Sequence, residues 1–234
     1  MAGDGVVVLL PPSEGKAAGG TGPWRARRGA FASLASARRS VVRAYADAVD
    51  GPSVRSVVGT SSAALLERAV DAAHRLARNR ALALPASQRF TGVVWEHLRP
   101  AEVPVERIAV VSAVLGLCAG DDPVPDFRLK LSVSLPPLGR LDRWWRPHLA
   151  PALAGWSAGR EVWDLLPQEH AAAVDLDSLG DQVVRVRVEG VSGHDAKSVK
   201  GAFARHVLLT GSHTGFRFGD WQAVRRRGQV VTLR

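Results

Sequence analysis

The sequence predicts an α/β fold, a single domain in which helices flank a mixed β-sheet. With 234 residues, 46% of them apolar, and a mean hydropathy near zero, the chain has the composition of a globular protein with one substantial core. Short β-branched apolar segments alternate with longer segments of helical periodicity, which is typical of mixed α/β proteins. Repeats, low-complexity tracts and linkers are not evident, so we expect one domain over residues 1–234.

The first hundred residues are predicted to contain one strand and three helices. Residues 5–10 are apolar and precede two prolines, which is typical of a buried strand opening into a loop. Apolar residues recur at helical spacing over 31–49 and 61–82, and Ser61 or Ser62 would cap the second of these helices. A third helix is expected over 88–98.

The remaining chain is expected to supply further strands and two long helices. Gly116 and Gly120 follow a strand-like segment, and four prolines make the next segment extended or looped. A following helix could be interrupted at Pro147. In order, these elements are a strand at 107–117, a loop at 121–138, a helix at 141–153, strands at 161–165 and 183–188, a helix at 195–210 and a strand at 229–233. The sheet would then have five or more strands.

The net charge of +9 and an isoelectric point near 11 indicate an anionic partner. The arginines are spread along the chain, with concentrations at 25–28, 38–39, 75–80, 140–146 and 225–227. They form either a nucleic-acid surface or arginine-rich solvated faces, and their dispersion favours the second interpretation.

Other features exclude several classes of protein. The only cysteine, Cys118, cannot form an internal disulfide, and the His, Cys and carboxylate residues lack metal-ligand spacing, so we expect neither metal nor cofactor. The apolar run at 5–10 is too short for a signal peptide or membrane span. We therefore expect a cytoplasmic protein with no membrane partner.

Lysine is rare here, and its positions are informative. Only four of the 31 basic residues are lysines: Lys16, Lys130, Lys197 and Lys200. Unlike arginine, lysine can shift its pKa, act as a nucleophile or form a Schiff base. Either these lysines survive by chance in an arginine-biased chain, or they mark positions where an ammonium group is needed.

The segment 11–16 follows the first strand, where α/β sheets commonly place functional loops. Ser13, Glu14 and Lys16 bring a hydroxyl, a carboxylate and an ammonium within four residues, although the spacing is not that of a P-loop. Glu14 could act as a base and Lys16 could bind an anion; a turn with a local ion pair is the structural alternative.

The start of the late helix is a second candidate anion site. Lys197 and Lys200 would project from neighbouring positions near exposed helix amides. Gly201 costs helix stability and could permit a close backbone approach. Arg128 could clamp a carboxylate or phosphate, and His194 could assist acid–base chemistry, though both also have structural interpretations.

Several motifs resemble the YaaA family, known as peroxide stress proteins, and its actinobacterial branch is the closer match. The motifs are LLPPSEGK (9–16), RFTGVVWEHL (89–98), VVSAVLGL (110–117), DPVPDFRL (122–129), WRP (145–147), VWDL (162–165) and KxxKG (197–201). Their order covers almost the whole chain.

The resemblance implies a single mixed α/β domain with a basic cleft and a role in limiting oxidative damage linked to iron and DNA, including a helix–hairpin–helix-like DNA-binding element. It also implies functional residues at matching positions. We take Ser13, Glu14, Lys16 and His194 as candidate catalytic residues, and Arg89, Ser112, Arg128, Lys197, Lys200 and Arg205 as candidate anion-binding residues.

The chain also departs from the family pattern. Trp95 and Phe127 stand where relatives usually have tyrosine, and His170 corresponds to a further tyrosine. Relatives also tend to have Arg-Ser where this chain has Leu166-Pro167, and Phe-Asn where it has Asp195-Ala196. The loss of hydroxyls around a retained cationic core suggests an altered ligand.

Two functional hypotheses stay open at this point. The protein could be a non-enzymatic stress protein that binds DNA or another polyanion through its basic surface. Alternatively, it could be an enzyme of specialised metabolism that acts on a small anionic substrate, such as a nucleotide or an amino-acid-derived metabolite. The second requires the loop after the first strand to meet the late helix, so that Lys16, Lys197 and Lys200 line one cavity.

Overall fold

The computed structural model describes residues 5–234, apart from the side chains of 225–227, so the basic cluster at 225–227 lies outside the described side chains. The helices are α1 Ala35–Val49, α2 Val54–Val58, α3 Ala63–Ala77, α4 Ala86–Arg89, α5 Val93–Leu98, α6 Leu141–Ser157, α7 Gln168–Ala171 and α8 Gly193–Thr210. The strands are β1 Val6–Leu10, β2 Gly22–Pro23, β3 Leu82–Pro85, β4 Ile108–Ser112, β5 Gly116–Ala119, β6 Pro123–Pro125, β7 Ser134–Leu135, β8 Gly139–Arg140, β9 Glu161–Asp164, β10 Val183–Val188, β11 Arg217–Phe218, β12 Trp221–Arg227 and β13 Val230–Leu233.

The main sheet has eight strands in the order β11-β12-β13-β10-β9-β1-β4-β5. Neighbours from β13 to β4 pair in parallel, whereas β5, β12 and β11 pair antiparallel at the two edges. Every residue of β1 and β4 is buried. Such uniformly buried parallel strands are covered on both faces. The predicted single α/β domain with a mixed sheet and flanking helices is therefore confirmed.

The chain leaves β1 and β9 in opposite directions along the sheet. These strands are adjacent, with Val8 paired to Trp163. After β1 the chain next joins the sheet as β4 on one side, and after β9 it joins as β10 on the other. Connections that diverge from neighbouring parallel strands leave a crevice at the carboxyl ends, where α/β proteins commonly bind ligands.

A small antiparallel sheet of β2, β3 and β6 is held by the fully buried side chain of Arg89. Its guanidinium donates hydrogen bonds to the carbonyls of Val124 (3.1 Å), Leu82 (3.1 Å) and Gly19 (2.8 Å), and to that of Ala17. One arginine thus joins β3, β6 and the segment leading into β2.

Most predicted elements are confirmed, with shifted ends. Five predicted elements match observed ones: β1 (predicted at 5–10), α1 (31–49), β9 (161–165), β10 (183–188) and β13 (229–233). Ser62 is the N-cap of α3, and its hydroxyl accepts from the Leu65 amide at 3.4 Å. The helix expected over 61–82 ends earlier, at Ala77, because Asn79 has a left-handed backbone (φ 56°) and Leu82 enters β3.

Other boundaries differ more. The single strand expected at 107–117 is the β4–β5 hairpin, which turns before Gly116. The helix expected at 88–98 is divided into α4 and α5, and α6 continues through Pro147 to Ser157. The edge strands β11 and β12 were not predicted.

Helix α8 lies against α5, β1 and β10, and its approach to α5 depends on Gly201. A Cβ atom added at Gly201 would lie 2.3 Å from the Val94 carbonyl oxygen and 2.9 Å from His97 Cβ. The expected close backbone approach at Gly201 is therefore confirmed. In the described part of the chain, no helix combines the length and apolar character needed to cross a bilayer.

Replacing Gly201 by alanine tests this packing. We expect Gly201→Ala to lower the free energy of unfolding by about 1–3 kcal/mol, because the added methyl overlaps backbone of α5. The matched control is Gly155→Ala in α6, where nothing lies within 4 Å of the added Cβ. Higher helix propensity should make that variant more stable by about 0.5–1 kcal/mol. Denaturant unfolding measures both, and equal effects would contradict the packing argument.

Candidate functional site

The loop after β1 is fixed by the segment that links α4 to α5. The Trp95 indole nitrogen donates to the Pro11 carbonyl at 3.3 Å, and the Thr91 amide donates to Ser13 Oγ at 3.0 Å. Trp95 is buried, so its indole is a rigid anchor. Trp95, at a position where the resemblance implies a tyrosine, therefore supplies a hydrogen bond to the loop after β1.

The two segments also approach closely in their backbones. Lys16 forms an antiparallel bridge with Phe90. A Cβ added at Gly92 would lie 2.8 Å from Ser13 Cβ, so only glycine fits there without displacing the loop. These contacts give a physical reason for the co-occurrence of the motifs at 9–16 and 89–98.

The loop borders a cleft of about 160 Å³ at the carboxyl ends of β1, β4 and β9. We call it the Lys16 cleft; it is lined by residues 12–14, Lys16, Ala113, 127–131, Glu169 and His170. Residues 12–16 follow β1, Ala113 follows β4, and Glu169 and His170 come after β9. The cleft thus occupies the crevice that the divergence of β1 and β9 creates.

Lys16 lies in this cleft with its stem buried. Its ammonium nitrogen contacts the carbonyl oxygens of Ser13 (3.2 Å) and Glu14 (3.5 Å) and lies 4.6 Å from the centre of the Phe127 ring. Burial lowers the pKa of Lys16 from 10.5 to about 8; the Asp126 carboxylate opposes this shift and the Arg128 guanidinium adds to it. Among the described residues no carboxylate forms an ion pair with Lys16. Part of the Lys16 population is therefore neutral amine near neutral pH.

Arg128 and His170 each present a buried polar atom that has no hydrogen-bond partner among the described residues. These atoms are Arg128 Nε and His170 Nδ1, and both residues line the Lys16 cleft. Burial lowers the pKa of His170, so its imidazole is neutral at pH 7. Buried polar atoms are nearly always hydrogen-bonded, so two residues with unpaired nitrogens in the lining of one cleft mark it as a candidate ligand site.

The remaining polar groups give the rim of the cleft mixed charge. Glu14 is 74% exposed and lies 3.9 Å from the Lys130 ammonium. Glu169 accepts a hydrogen bond from the Ser132 hydroxyl at 2.9 Å. Ser13 donates to the Gly15 carbonyl, so its hydroxyl is committed to the loop.

Lys200 and Lys197 do not line the Lys16 cleft, nor do they line a smaller cleft of about 90 Å³ that also includes Lys16. The Lys200 ammonium donates to the carbonyls of Leu165 (3.0 Å) and Leu166 (3.2 Å), directly after β9. Burial lowers the pKa of Lys200 and the Asp164 carboxylate opposes the shift. Lys200 therefore holds the segment that leads to His170, whereas Lys197 is exposed.

The other candidate residues lie at structural positions or on the surface. The Arg89 guanidinium donates to four carbonyls, two in β3 and β6 and two in the segment leading into β2. Ser112 is fully buried, and its hydroxyl accepts from the Leu115 amide at 3.4 Å. Arg205 forms an ion pair with Glu102, and His194 is exposed at the start of α8.

Three ionisable residues of the cleft were not among the candidates from sequence: Lys130, Glu169 and His170. Lys130 follows Arg128 by two positions on the same loop, and His170 is at a position where the resemblance implies a tyrosine. The proximity of these residues to Lys16 depends on how β9 and β1 pair, which the local sequence does not encode. In the described part of the chain, no group of three or more His, Cys, Asp or Glu side chains could hold a metal ion.

Fold and site together define an α/β protein with a cationic cleft at the topological switch point of a mostly parallel sheet. The profile of the family described as peroxide stress protein YaaA matches residues 6–216. The chain belongs to this family.

Relatives from actinobacteria support the assignment. A UPF0246 protein of Streptomyces coelicolor is 30% identical over 227 residues, covering 88% of this chain and 84% of the relative. A UPF0246 protein of Corynebacterium glutamicum strain R is 31% identical over 228 residues, covering 88% and 86%.

The two lysines of α8 form a matched pair for mutation. We expect Lys200→Met to lower the free energy of unfolding by about 1–3 kcal/mol, because two carbonyl oxygens lose their donor. The same change at exposed Lys197 should stay within about 0.5 kcal/mol. Denaturant unfolding gives the energies, and amide hydrogen exchange should quicken in residues 165–170 for the first variant alone. Equal behaviour of the two variants would remove the positioning role from Lys200.

The lowered pKa of Lys16 predicts a pH dependence of stability. Between pH 8 and 10.5 the unfolded chain keeps its proton on Lys16 while the folded protein loses it, so the Lys16 contribution stabilises the fold as pH rises. The slope is at most about 1.4 kcal/mol per pH unit. Unfolding titrations of wild type and Lys16→Met should differ by this slope, with Lys197→Met as control. Parallel curves would show that Lys16 is not perturbed.

Proposed function

We propose that this YaaA-family protein binds a small anionic metabolite, a carboxylate or a phosphate, in the Lys16 cleft and acts on it chemically through Lys16. The observation that carries this proposal is that Arg128 and His170 line a single cleft and that each has a buried side-chain nitrogen without a hydrogen-bond partner among the described residues. An anion placed there would accept hydrogen bonds from the guanidinium, which suits carboxylate and phosphate oxygens.

The size of the cleft favours a small ligand. Drug-sized ligands occupy pockets of roughly 300–1,000 Å³. The Lys16 cleft has about 160 Å³, which is too small to enclose a nucleic-acid duplex and suits a ligand of a few heavy atoms. Its cations Lys16, Arg128 and Lys130 outnumber the acids Glu14 and Glu169, so the lining favours negative charge.

Lys16 supplies the chemistry in this proposal. An amine that is partly neutral near pH 7 can accept a proton or attack an electrophilic carbon, whereas an ordinary lysine is almost fully charged. His170 presents a neutral imidazole to the same cleft and is the candidate proton-transfer partner. Exposed Glu14 would act as a base at the entrance of the cleft.

Departures from the family pattern coincide with this cleft. Phe127 and His170, which replace expected tyrosines, both line it, and the Phe127 ring lies beside the Lys16 ammonium. These changes support a ligand that differs from that of the wider family while the cation set is kept.

A groove remote from the cleft favours a second candidate function, binding of DNA or another polyanion as a stress protein. The groove measures about 610 Å³ and is lined by Arg25, Arg27, Arg39 and Arg43, with Asp47 as its acid. Among described residues, Arg27, Arg39 and Arg43 form no ion pair, so they are available to phosphates. Such binding would weaken steeply with salt.

A pair of variants separates the two functions. We expect Arg128→Gln to weaken binding of inorganic phosphate and lactate about 10- to 100-fold in calorimetric titration, since a hydrogen bond to a charged group contributes about 1.5–3 kcal/mol. The Arg39→Gln/Arg43→Gln double variant, which also removes arginine charge, should leave this binding unchanged and should weaken duplex DNA binding if the groove contacts phosphates.

Equal loss of small-anion binding in both variants would mean that the overall positive charge, not the cleft, attracts the anion. Absence of phosphate and lactate binding to the wild-type protein would overturn the primary proposal. If the salt dependence of DNA affinity is the same in the double variant as in the wild type, the proposal of DNA binding in the groove is overturned.

A further inference from the structure

We infer that Lys16 forms an imine with the carbonyl carbon of a small 2-oxo acid whose carboxylate is held by Arg128. This inference rests on the proposed small-anion site and names its substrate class. It requires three features together: a nucleophilic amine, a nearby anion clamp and a group that can move protons.

The surroundings of Lys16 are those of a nucleophile. Two backbone carbonyls contact the nitrogen and can accept both hydrogens of a neutral amine, leaving the lone pair without a partner. The Phe127 ring covers one side, and no described carboxylate pairs with the nitrogen to keep it protonated. A desolvated lysine beside another cation is a recurrent way to make an amine reactive, and Arg128 is that cation here.

The substrate class follows from the chemistry of the lining. The amine needs an electrophilic carbon. The guanidinium of Arg128, which lines the same cleft and whose Nε has no hydrogen-bond partner among the described residues, can donate to an acceptor oxygen. A carbonyl directly attached to a carboxylate supplies both within the few heavy atoms that about 160 Å³ can hold. Neutral His170 can deliver and accept protons beside them.

Imine formation needs only the amine, the 2-oxo acid and a proton from solvent. The Lys16 nitrogen attacks the carbonyl carbon and the carbonyl π electrons move to oxygen, giving a carbinolamine after proton transfer. The nitrogen lone pair then expels the hydroxyl group, which leaves as water after taking a proton that His170 relays from solvent. The product is a protonated imine that can withdraw electrons from the adjacent carbon.

Reductive trapping tests the inference directly. Wild-type protein is incubated with pyruvate and cyanoborohydride at pH 8, and the labelled lysine is located by peptide mass mapping, which is simple because the chain has four lysines. We expect Lys16 to be labelled at least about tenfold faster than the other three. Lactate, which has the carboxylate but no carbonyl, should slow the labelling and give no adduct itself.

Variants complete the test. Lys16→Arg keeps the charge but cannot form an imine and should lose the adduct, Arg128→Gln should slow labelling about tenfold, and Lys197→Arg should label like wild type. Equal labelling of all lysines, or no adduct while lactate and phosphate still bind through Arg128, overturns the imine and leaves the proposed anion site standing. No adduct and no anion binding overturn both.

Discussion

The hydrogen bonds around Arg89 hold the parts of this structure on which the candidate site depends. Its side chain joins β3, β6 and the chain leading into β2, while its carbonyl accepts from the Ala17 amide at 2.9 Å. The residues just after it bind the loop that follows β1 and carries Lys16. A buried guanidinium is stable only when its donors are satisfied, and backbone carbonyls do this without cancelling its charge. Arg89 therefore fixes the loop and also adds to the positive field that disfavours protonation of Lys16.

The Lys16 cleft lies where the connections that follow β1 and β9 diverge. β1 and β9 are adjacent, yet the chain leaves them in opposite directions, and the resulting crevice takes side chains from segments far apart in sequence. Lys200 contributes from α8 by holding the carbonyls that follow β9, although its ammonium is not in the cleft. Of the lysines in these motifs, Lys16 lines the cleft, Lys200 holds the segment after β9 and Lys197 is exposed.

The sequence predicted the fold class, the buried first strand and the loop that carries Lys16, because each is encoded in local patterns of apolar residues and prolines. The resemblance linked the motifs at 9–16 and 89–98, and their contacts explain the link. Sequence patterns could not reveal that the Arg89 guanidinium donates to backbone carbonyls, or that His170 lines the cleft. Both depend on contacts between segments that are far apart in the sequence. The β4–β5 hairpin and the edge strands were missed because short strands beside glycines have weak periodic signals.

The proposed function depends on Lys16 being a partly neutral amine beside a site for an anion. With four lysines in the chain, nuclear magnetic resonance of protein labelled at lysine Cε can follow each one through a pH titration. The account predicts that Lys16 titrates near pH 8, and that phosphate or lactate moves this midpoint upward because a bound anion favours the ammonium. A Lys16 midpoint near 10.5 that neither anion changes would contradict it.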